Sequence, residues 1–301
     1  MKTIFSKVKL KPGQIVRLLI LVLLSSVGQM LLPSFLAQMI SHGVAEGDKS
    51  VIWVYALIMA GVTVFSCVIS FLSVKIASYI STDFAAQLRN QVFSKVQSFS
   101  AAEMDRFGTA SLVTRSTSDI TNVQNFLTLL LRIGLLAPMM AVAGLVFSAA
   151  TGGRVSSVLL VAIPVLLVAL TIIMVLASRY SISLRKKLDQ INRLFLESLE
   201  GVRVIRAFNK QKAESGRFGE ANSDYADTAM AAGRITSLLM PAINVIFGVT
   251  TAAVLGMGAY YVNIGAMEVG SLVANSQYIS MVLTSVMMLS LVIMMFPTTY
   301  A

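Results

Sequence analysis

Few residues in this sequence could carry out chemistry. The 301 residues include one histidine, His42, and one cysteine, Cys67, so neither a histidine metal cluster nor an internal disulfide can be built from them. They contain no H-E-x-x-H zinc motif and no G-x-x-x-x-G-K-[ST] phosphate-binding loop. These residues therefore predict no catalytic site, no metal site and no cofactor site of their own.

The longest apolar blocks of the sequence contain no Asp and no Glu. Proton-coupled transporters generally need an Asp, Glu or His relay within the membrane, so this pattern disfavours that class and also disfavours a membrane enzyme. Arg132 lies inside an apolar block. It either faces a water-filled cavity or snorkels to the membrane interface, and we favour the structural role.

The elements that must position these residues are membrane helices. Hydrophobic residues make up 56% of the chain and charged residues 13%, against about 25% charged in a typical soluble domain, and the mean hydropathy is +0.79. Six apolar blocks are long enough to cross a hydrocarbon core of about 30 Å. They are residues 15–40, 51–80, 126–150, 155–180, 235–262 and 271–300. We expect an all-α membrane protein with six transmembrane helices.

The placement of Lys and Arg predicts the orientation of these helices. The N-terminal segment up to Arg17 and the two long connecting segments hold nineteen Lys and Arg residues, whereas the three short loops hold only Lys49 and Arg154. Because basic residues favour the cytosolic side, both termini should be cytosolic. The net charge of +10 then reflects topology and contact with lipid headgroups, and not nucleic-acid binding. Residues 1–14 should form a segment in the membrane interface, and Pro12 should turn the chain into the membrane. A signal peptide is disfavoured, because the apolar run that follows is longer than a signal peptide requires.

The two long cytosolic segments, 81–125 and 181–234, are predicted to be helical stalks. Neither contains proline, and a helix over 51–100 would be about 75 Å long. One apolar seam runs along the second stalk through Leu184, Leu188, Ile191, Phe195, Leu199, Val202 and Ile205. Each stalk must reverse direction. The candidates are Gly108 in the first stalk, and Asn209, Gly216 and Gly219 in the second.

Three stretches of the sequence resemble a known family in the same order. They are MDRFGTASLVTRSTSDITNVQNF, ESLEGVRVIRAFNKQKAESGRF and GAYYVNIGAMEVGSLVANSQYI. They are similar to the two intracellular loops and the last external turn of the type-1 transmembrane domain of exporters of the ATP-binding cassette (ABC) class. Other stretches of the sequence resemble half-transporters of the multidrug type, which often form heterodimers.

The resemblance implies a division of labour between this chain and its partners. Two coupling helices would dock into ATPase domains through Asp105, Arg106, Phe107, Ala207, Phe208, Asn209 and Lys210. ATP and Mg would bind on nucleotide-binding domains that these residues do not contain. Those domains would belong either to a separate chain or, as we favour, to the continuation of a longer protein. A second half-transporter, as a homodimer or heterodimer, and membrane lipids would be the other partners. For each phenylalanine, packing within its own stalk is the alternative.

The last apolar block contains the candidates for a substrate cavity. Together with Arg132 they are Gln277, Tyr278, Met287, Met288, Met295 and Phe296. Flexible thioethers adapt to varied apolar ligands, although single methionines are often core or lipid-facing residues. We expect export of hydrophobic or amphipathic compounds from a bacterial plasma membrane. The alternatives are a lipid or peptide exporter of the same fold, and a non-catalytic regulatory membrane subunit.

Overall fold

The structure, a computed structural model, describes residues 11–300, with side chains for residues 11–292. Within this part of the chain the regular structure is helical. The α-helices are α1 (Pro12–Gln38), α2 (Lys49–Gln97), α3 (Ala101–Phe107), α4 (Thr109–Thr114), α5 (Ile120–Leu129), α6 (Leu135–Gly152), α7 (Val158–Glu200), α8 (Val202–Ala207), α9 (Gln211–Ser237), α10 (Leu239–Asn263) and α11 (Val269–Tyr300). Short π-helical turns (Met39–Val44, Arg115–Asp119 and Leu130–Gly134) and a 3-10 turn (Gly153–Ser157) connect several of them.

Five helical stretches of the described chain are long and apolar enough to cross a membrane. They are Pro12–Val44, Lys49–Gln97, Thr109–Glu200, Gln211–Asn263 and Val269–Val292. The all-α membrane fold predicted from the sequence is therefore confirmed. One of these stretches has 92 residues and includes two of the predicted spans. The number of spans therefore depends on whether this stretch crosses the membrane once or twice.

The 92-residue stretch reverses direction at Gly152–Gly153. The hydroxyl oxygens of Ser148 and Ser156 lie 3.0 Å apart, whereas eight residues of straight helix would separate these residues by about 12 Å. Gly153 has a φ of 49°, a conformation that glycine adopts without a steric penalty. The reversal is consistent with two spans in this stretch, and the total of six stays a prediction.

The chain divides into two compact units. Unit 1 contains Met1–Ile163 and Val249–Ala301, and unit 2 contains Pro164–Gly248. In unit 1, α11 packs against α6 and α1, and α1 packs in turn against α2. Leu18 and Val22 of α1 are buried against Ala77 and Ile80 of α2, and these four residues form one hydrophobic cluster of the core of unit 1.

Unit 2 contains the whole second stalk, and most of the apolar seam of this stalk is exposed within this chain. Leu188, Phe195 and Leu199 expose 43, 55 and 56% of their surface. Leu194, which the periodicity did not select, is instead buried at 7% exposure. The seam therefore forms a helix face, as predicted, but this unit leaves most of that face uncovered.

The predicted ends of the stalk helices are partly correct. Helix α2 has 49 residues and is about 73 Å long, as expected for a helix that extends beyond the bilayer. Gly108 ends α3 with a φ of 73°, and Asn209 has a φ of 53° just after α8, so helix stops are confirmed at both of these candidates. Gly216 and Gly219 were wrong candidates, since both lie inside α9.

The predicted interfacial segment falls mostly outside the described residues. Residues 1–10 are not described, so the predictions on that stretch remain predictions. The described part begins with Lys11, and Pro12 occupies the first turn of α1. Proline suits this position because its missing N–H would have no partner within the helix.

Candidate functional sites: two stalk tips and one face of the last helix

The first stalk tip, residues 95–115, is built around the short helix α3. The side chain of Ser100 accepts from the backbone N–H of Glu103, and the Glu103 carboxylate accepts from the backbone N–H of Ser100 at 2.8 Å. This capping box satisfies two amides that the first turn of a helix otherwise leaves free. The hydrogen bonds from the Ser100 backbone and hydroxyl lower the pKa of Glu103 below its ordinary value.

A stack of aromatic rings and cations holds α3 against the flanking helices. The rings of Phe99 and Phe107 lie 5.6 Å apart and nearly parallel. Lys95 lies 5.8 Å from the centre of the Phe99 ring, and Arg115 lies 5.6 Å from the centre of the Phe107 ring. Phe107 remains 38% exposed. The first tip is thus ordered by contacts within its own stalk, while one edge of its aromatic stack stays accessible.

The second stalk tip, residues 201–211, is built differently. Helix α8 has six residues, and no side chain caps its first turn. The chain closes after it through the amides of Asn209 and Lys210, which donate to the carbonyls of Arg206 and Ile205 at 3.2 and 2.9 Å. Phe208 is 72% exposed, and Ala207, Asn209 and Lys210 are also exposed. This tip presents a large apolar side chain surrounded by polar groups.

The predicted coupling residues therefore lie at the two stalk tips, where the chain reverses direction between helices. Asp105 and Arg106 are exposed on α3 next to Phe107, and the remaining four belong to the second tip. The structure brings each set together within its own unit. An exposed aromatic residue with a polar rim is typical of a protein-binding surface.

Behind the second tip, polar bridges join α7 to α9. Lys187 of α7 donates to the carboxylate of Asp224 at 2.5 Å and to the hydroxyl of Thr228 at 2.7 Å. Arg217 of α9 lies 3.4 Å from the carboxylate of Glu197. A groove of about 610 Å³ lies between the two helices. Sequence reasoning missed this arrangement because the partners are 20 or more residues apart and their pairing depends on the fold.

The substrate-cavity candidates on α11 lie on two different sides of that helix. Gln277, Met287 and Met288 are half-buried and share one face, whereas Tyr278 is completely buried. The structure describes side chains only for residues 11–292, so Met295 and Phe296 fall outside this range. The structure therefore groups three of the candidates and separates Tyr278 from them.

Tyr278 connects the last helix to the first. Its hydroxyl donates to the carbonyl of Met30 at 2.9 Å and lies 2.5 Å from the hydroxyl of Ser34. Its ring contacts that of Phe147 on α6, with centroids 5.6 Å apart. A buried tyrosine normally needs such partners, so in this conformation the ring stabilises the packing of α1, α6 and α11 and is not open to a ligand.

Arg132 lies in the π-helical turn Leu130–Gly134, and its side chain is exposed. It makes no ion pair within residues 11–292. Those residues also contain no group of three His, Cys, Asp or Glu side chains arranged to hold a metal ion.

A buried polar cluster at the Gly152 reversal was not predicted. Asn275 of α11 is fully buried, and its carbonyl oxygen accepts from Ser148 at 2.6 Å and from Ser156 at 3.3 Å. A Cβ on Gly152 would lie 2.2 Å from the Asn275 amide nitrogen, so only glycine allows this approach. The adjacent glycines at 152 and 153 and the amide in an apolar block were the available signals.

Comparison with known proteins identifies relatives of the chain. Residues 15–298 match the family described as the ABC transporter transmembrane region. An "Uncharacterized ABC transporter ATP-binding protein" of Bacillus subtilis (strain 168) is 30% identical over 92% of this chain, and the match covers 48% of that relative. A protein of the same description from Mycobacterium tuberculosis (strain CDC 1551 / Oshkosh) is 30% identical over 93% of this chain, again 48% of the relative.

A "Multidrug efflux ATP-binding/permease protein" of Mycobacterium bovis (strain BCG / Pasteur 1173P2) is 25% identical over 91% of this chain and is matched over 23% of its own length. The chain thus spans about half the length of the first two relatives. The family match covers nearly all of the chain, including both stalks and the helices that carry the apolar spans. The chain therefore belongs to the ABC transporter transmembrane family and is an integral membrane protein.

Proposed function

We propose that this chain is the membrane-spanning half of an ATP-driven exporter of hydrophobic or amphipathic compounds. One observation carries the proposal. The chain matches the transmembrane family over residues 15–298, while relatives about twice its length are named ATP-binding proteins. ATP and Mg would bind on nucleotide-binding domains outside these residues, and this chain would convert their closure into movement of its spans.

The two stalk tips are our proposed contacts with the nucleotide-binding domains. Phe208 supports this assignment because a 72% exposed aromatic side chain at a helix reversal needs a partner to cover it. Phe107 would contribute its exposed edge. Asp105, Arg106, Ala207, Asn209 and Lys210 would form the surrounding rim.

A second half-transporter is our proposed partner for the open seam of unit 2. Leu188, Phe195 and Leu199 lie along one face of α7. An uncovered apolar face of this length on a stalk outside the bilayer is unfavourable in water. The seam suits an identical or a different second half-transporter.

We further propose that both termini lie in the cytosol of a bacterial plasma membrane. The distribution of basic residues supports this orientation. A topology reporter inserted at Gly47 or Gly153 should then read as external, and one at Gly108 as internal. An internal signal at Gly153 would contradict the six-span arrangement.

The proposal is tested with the full-length protein that contains this chain. It is purified with its nucleotide-binding domains and reconstituted into vesicles, and a lipophilic dye is added on the stalk side. Dye should accumulate inside the vesicles when ATP and Mg are added on the stalk side, and not with a non-hydrolysable ATP analogue. If dye and other lipophilic compounds are not moved but a lipid or a peptide is, the alternative exporter assignments replace this one. If ATP hydrolysis moves nothing, a regulatory subunit becomes the better reading.

A further inference from the structure

One face of α11 combines hydroxyl, amide and thioether side chains. Its members are half-buried and recur every three or four residues: Ser276, Gln277, Ser280, Thr284, Met287 and Met288. We name these six residues the mixed face. The opposite side of α11 packs against α6 and α1. The mixed face is therefore the side of this helix that the chain leaves partly open.

Hydrocarbon is an unfavourable neighbour for this face. Gln277 and Thr284 lie eight and fifteen residues after Val269, where α11 begins, or about 12 and 22 Å along the helix. The side chain of Gln277 makes no hydrogen bond within residues 11–292. Transfer of an amide without a hydrogen-bond partner into hydrocarbon is strongly unfavourable, so the mixed face should border a cavity that holds water or a polar ligand.

The exposed face of α7 provides a contrast within the same chain. Between Leu160 and Leu176 its exposed residues are aliphatic or proline, apart from one hydroxyl, Thr171. That composition suits lipid. The mixed face instead places three hydroxyls and one amide within nine residues of α11.

The hydroxyls of the mixed face have already used their protons. Ser276 donates to the carbonyl of Val273 at 2.7 Å, Ser280 donates to that of Ser276 at 3.0 Å, and Thr284 donates to that of Ser280 at 2.8 Å. A hydroxyl has one proton to donate and two lone pairs that accept. The groups that remain free on these side chains are therefore acceptors.

We propose that the mixed face selects transported compounds that carry an O–H or N–H donor beside an apolar body. The donor would bind to the free acceptors of Ser280 and Thr284, which lie about one helical turn apart, and the apolar part would contact Met287 and Met288. This inference rests on the proposed export function and narrows its substrate class. It differs from selection by lipophilicity alone, because it predicts that removing a donor weakens binding even when the compound becomes more apolar.

A matched pair of probes separates these two possibilities. The first probe is a fluorescent long-chain alcohol, and the second is its methyl ether, which has the same body and no donor. Binding to the full-length protein in nanodiscs is measured for both, with empty nanodiscs as the control for partition into lipid. We expect the alcohol to bind about fivefold more tightly, the size of one net hydrogen bond. Selection by lipophilicity would favour the ether.

Variants of two hydroxyls assign the preference to this face. The double variant Ser280→Ala, Thr284→Val should reduce the alcohol-to-ether preference to about one, while Thr284→Ser, which keeps an acceptor, should retain it. Thr171→Val removes a hydroxyl with the same i−4 backbone bond from the exposed face of α7 and should change nothing.

Three results would overturn the inference. They are equal binding of the two probes, tighter binding of the ether, and a preference that survives the double variant. Failure of the alcohol to bind the wild-type protein counts against it as well. In each case ATP-dependent dye movement can still be present, so the export proposal is judged separately.

Discussion

The two stalk tips perform the same reversal of the chain with different means. At the first, a capping box and a stack of Lys95, Phe99, Phe107 and Arg115 order the short helix α3 from within. At the second, α8 has no side-chain cap, and its phenylalanine, Phe208, projects with 72% of its surface exposed. One tip is completed by its own residues, and the other leaves its largest apolar group without cover.

This difference indicates a division of roles. Contacts made within a tip stabilise the free chain and contribute little extra when a partner binds. An exposed aromatic side chain does the reverse, because its burial occurs only in the complex. We therefore expect the second tip to supply most of the binding energy to a nucleotide-binding domain, and the first to supply a preformed surface.

The largest effect is expected from Phe208→Ala. Truncating a central aromatic anchor typically costs about 2 kcal/mol or more of binding free energy, so substrate-stimulated ATPase activity of the full-length protein should fall steeply. Thermal stability of the membrane part should not change. Phe93→Ala is the matched control, since Phe93 is 60% exposed on α2 but lies before the first tip.

Phe107→Ala makes the comparison sharper. It removes the ring that stacks on Phe99, so the first tip should become more susceptible to proteolysis. Its effect on ATPase coupling should be smaller than that of Phe208→Ala. Equal losses of coupling at the two positions, or full coupling in both variants, would contradict the proposed asymmetry.

The second prediction concerns the backbone at the two reversals. Gly108 has φ 73° and ψ 138°, a region that is strained for residues with a Cβ. Gly108→Ala should therefore destabilise the first tip by about 1–2 kcal/mol. Asn209, at φ 53°, lies in the left-handed region that asparagine tolerates, so Asn209→Gly should have little effect. Hydrogen exchange of the α3 amides measures the effect of Gly108→Ala, and exchange of the α8 amides measures the effect of Asn209→Gly. Equal increases in exchange rate for the two variants would contradict the expected difference in backbone strain.

The sequence predicted these tips well because local signals specify them. Residue type marked Gly108 and Asn209 as candidate helix stops. Helix α2 could be recognised from the apolar block 51–80 and the stretch without proline that continues it. Gly216 and Gly219 carried the same signal and proved misleading, since a glycine inside a long stalk helix is tolerated at a cost of about 1 kcal/mol. Residue type proposes a stop, but flanking residues decide whether the helix continues.

The sequence could not predict which groups meet across the fold. The sequence placed Tyr278 among the candidates for the substrate cavity, but it could not predict that the Tyr278 hydroxyl donates to the carbonyl of Met30, 248 positions earlier. Asn275 and Ser148 are 127 residues apart, and their pairing depends on how α11 packs against α6. Such contacts depend on helix rotation, which a broad apolar block without clear periodicity does not fix.

The third prediction removes the cap that only the first tip has. Ser100→Ala deletes the side chain that accepts from the Glu103 amide, and losing an N-cap hydroxyl typically costs about 1 kcal/mol. The amides of α3 should then exchange faster, with no change at α8. Ser98→Ala is the control within the same tip, because its hydroxyl bonds the Lys95 carbonyl at the end of α2. Faster exchange in both variants would point to a general loosening of the tip.

The smallest effect is a pH dependence that should exist at the first tip only. The Glu103 carboxylate accepts from the Ser100 backbone N–H at 2.8 Å and from its hydroxyl at 3.0 Å. These bonds favour the charged form, and they lower the pKa of Glu103 below its ordinary value of 4.5. The stabilisation is therefore complete above the pKa that Glu103 has in the unfolded chain. It is lost as the pH falls through the lower pKa of the folded tip.

An NMR titration of the Glu103 carboxyl carbon in the full-length protein measures this directly. The wild-type midpoint should lie below 4.5. Ser100→Ala should raise it only part of the way, because the alanine keeps the backbone N–H that is the larger cause of the shift. Ser98→Ala should leave it unchanged. Helix α8 (Val202–Ala207) contains no acidic residue and no side-chain cap, so acid should not open the second tip by this route. A wild-type midpoint at or above 4.5 would mean that the capping box does not persist in solution, and the contrast between the two tips would then rest on the aromatic stack alone.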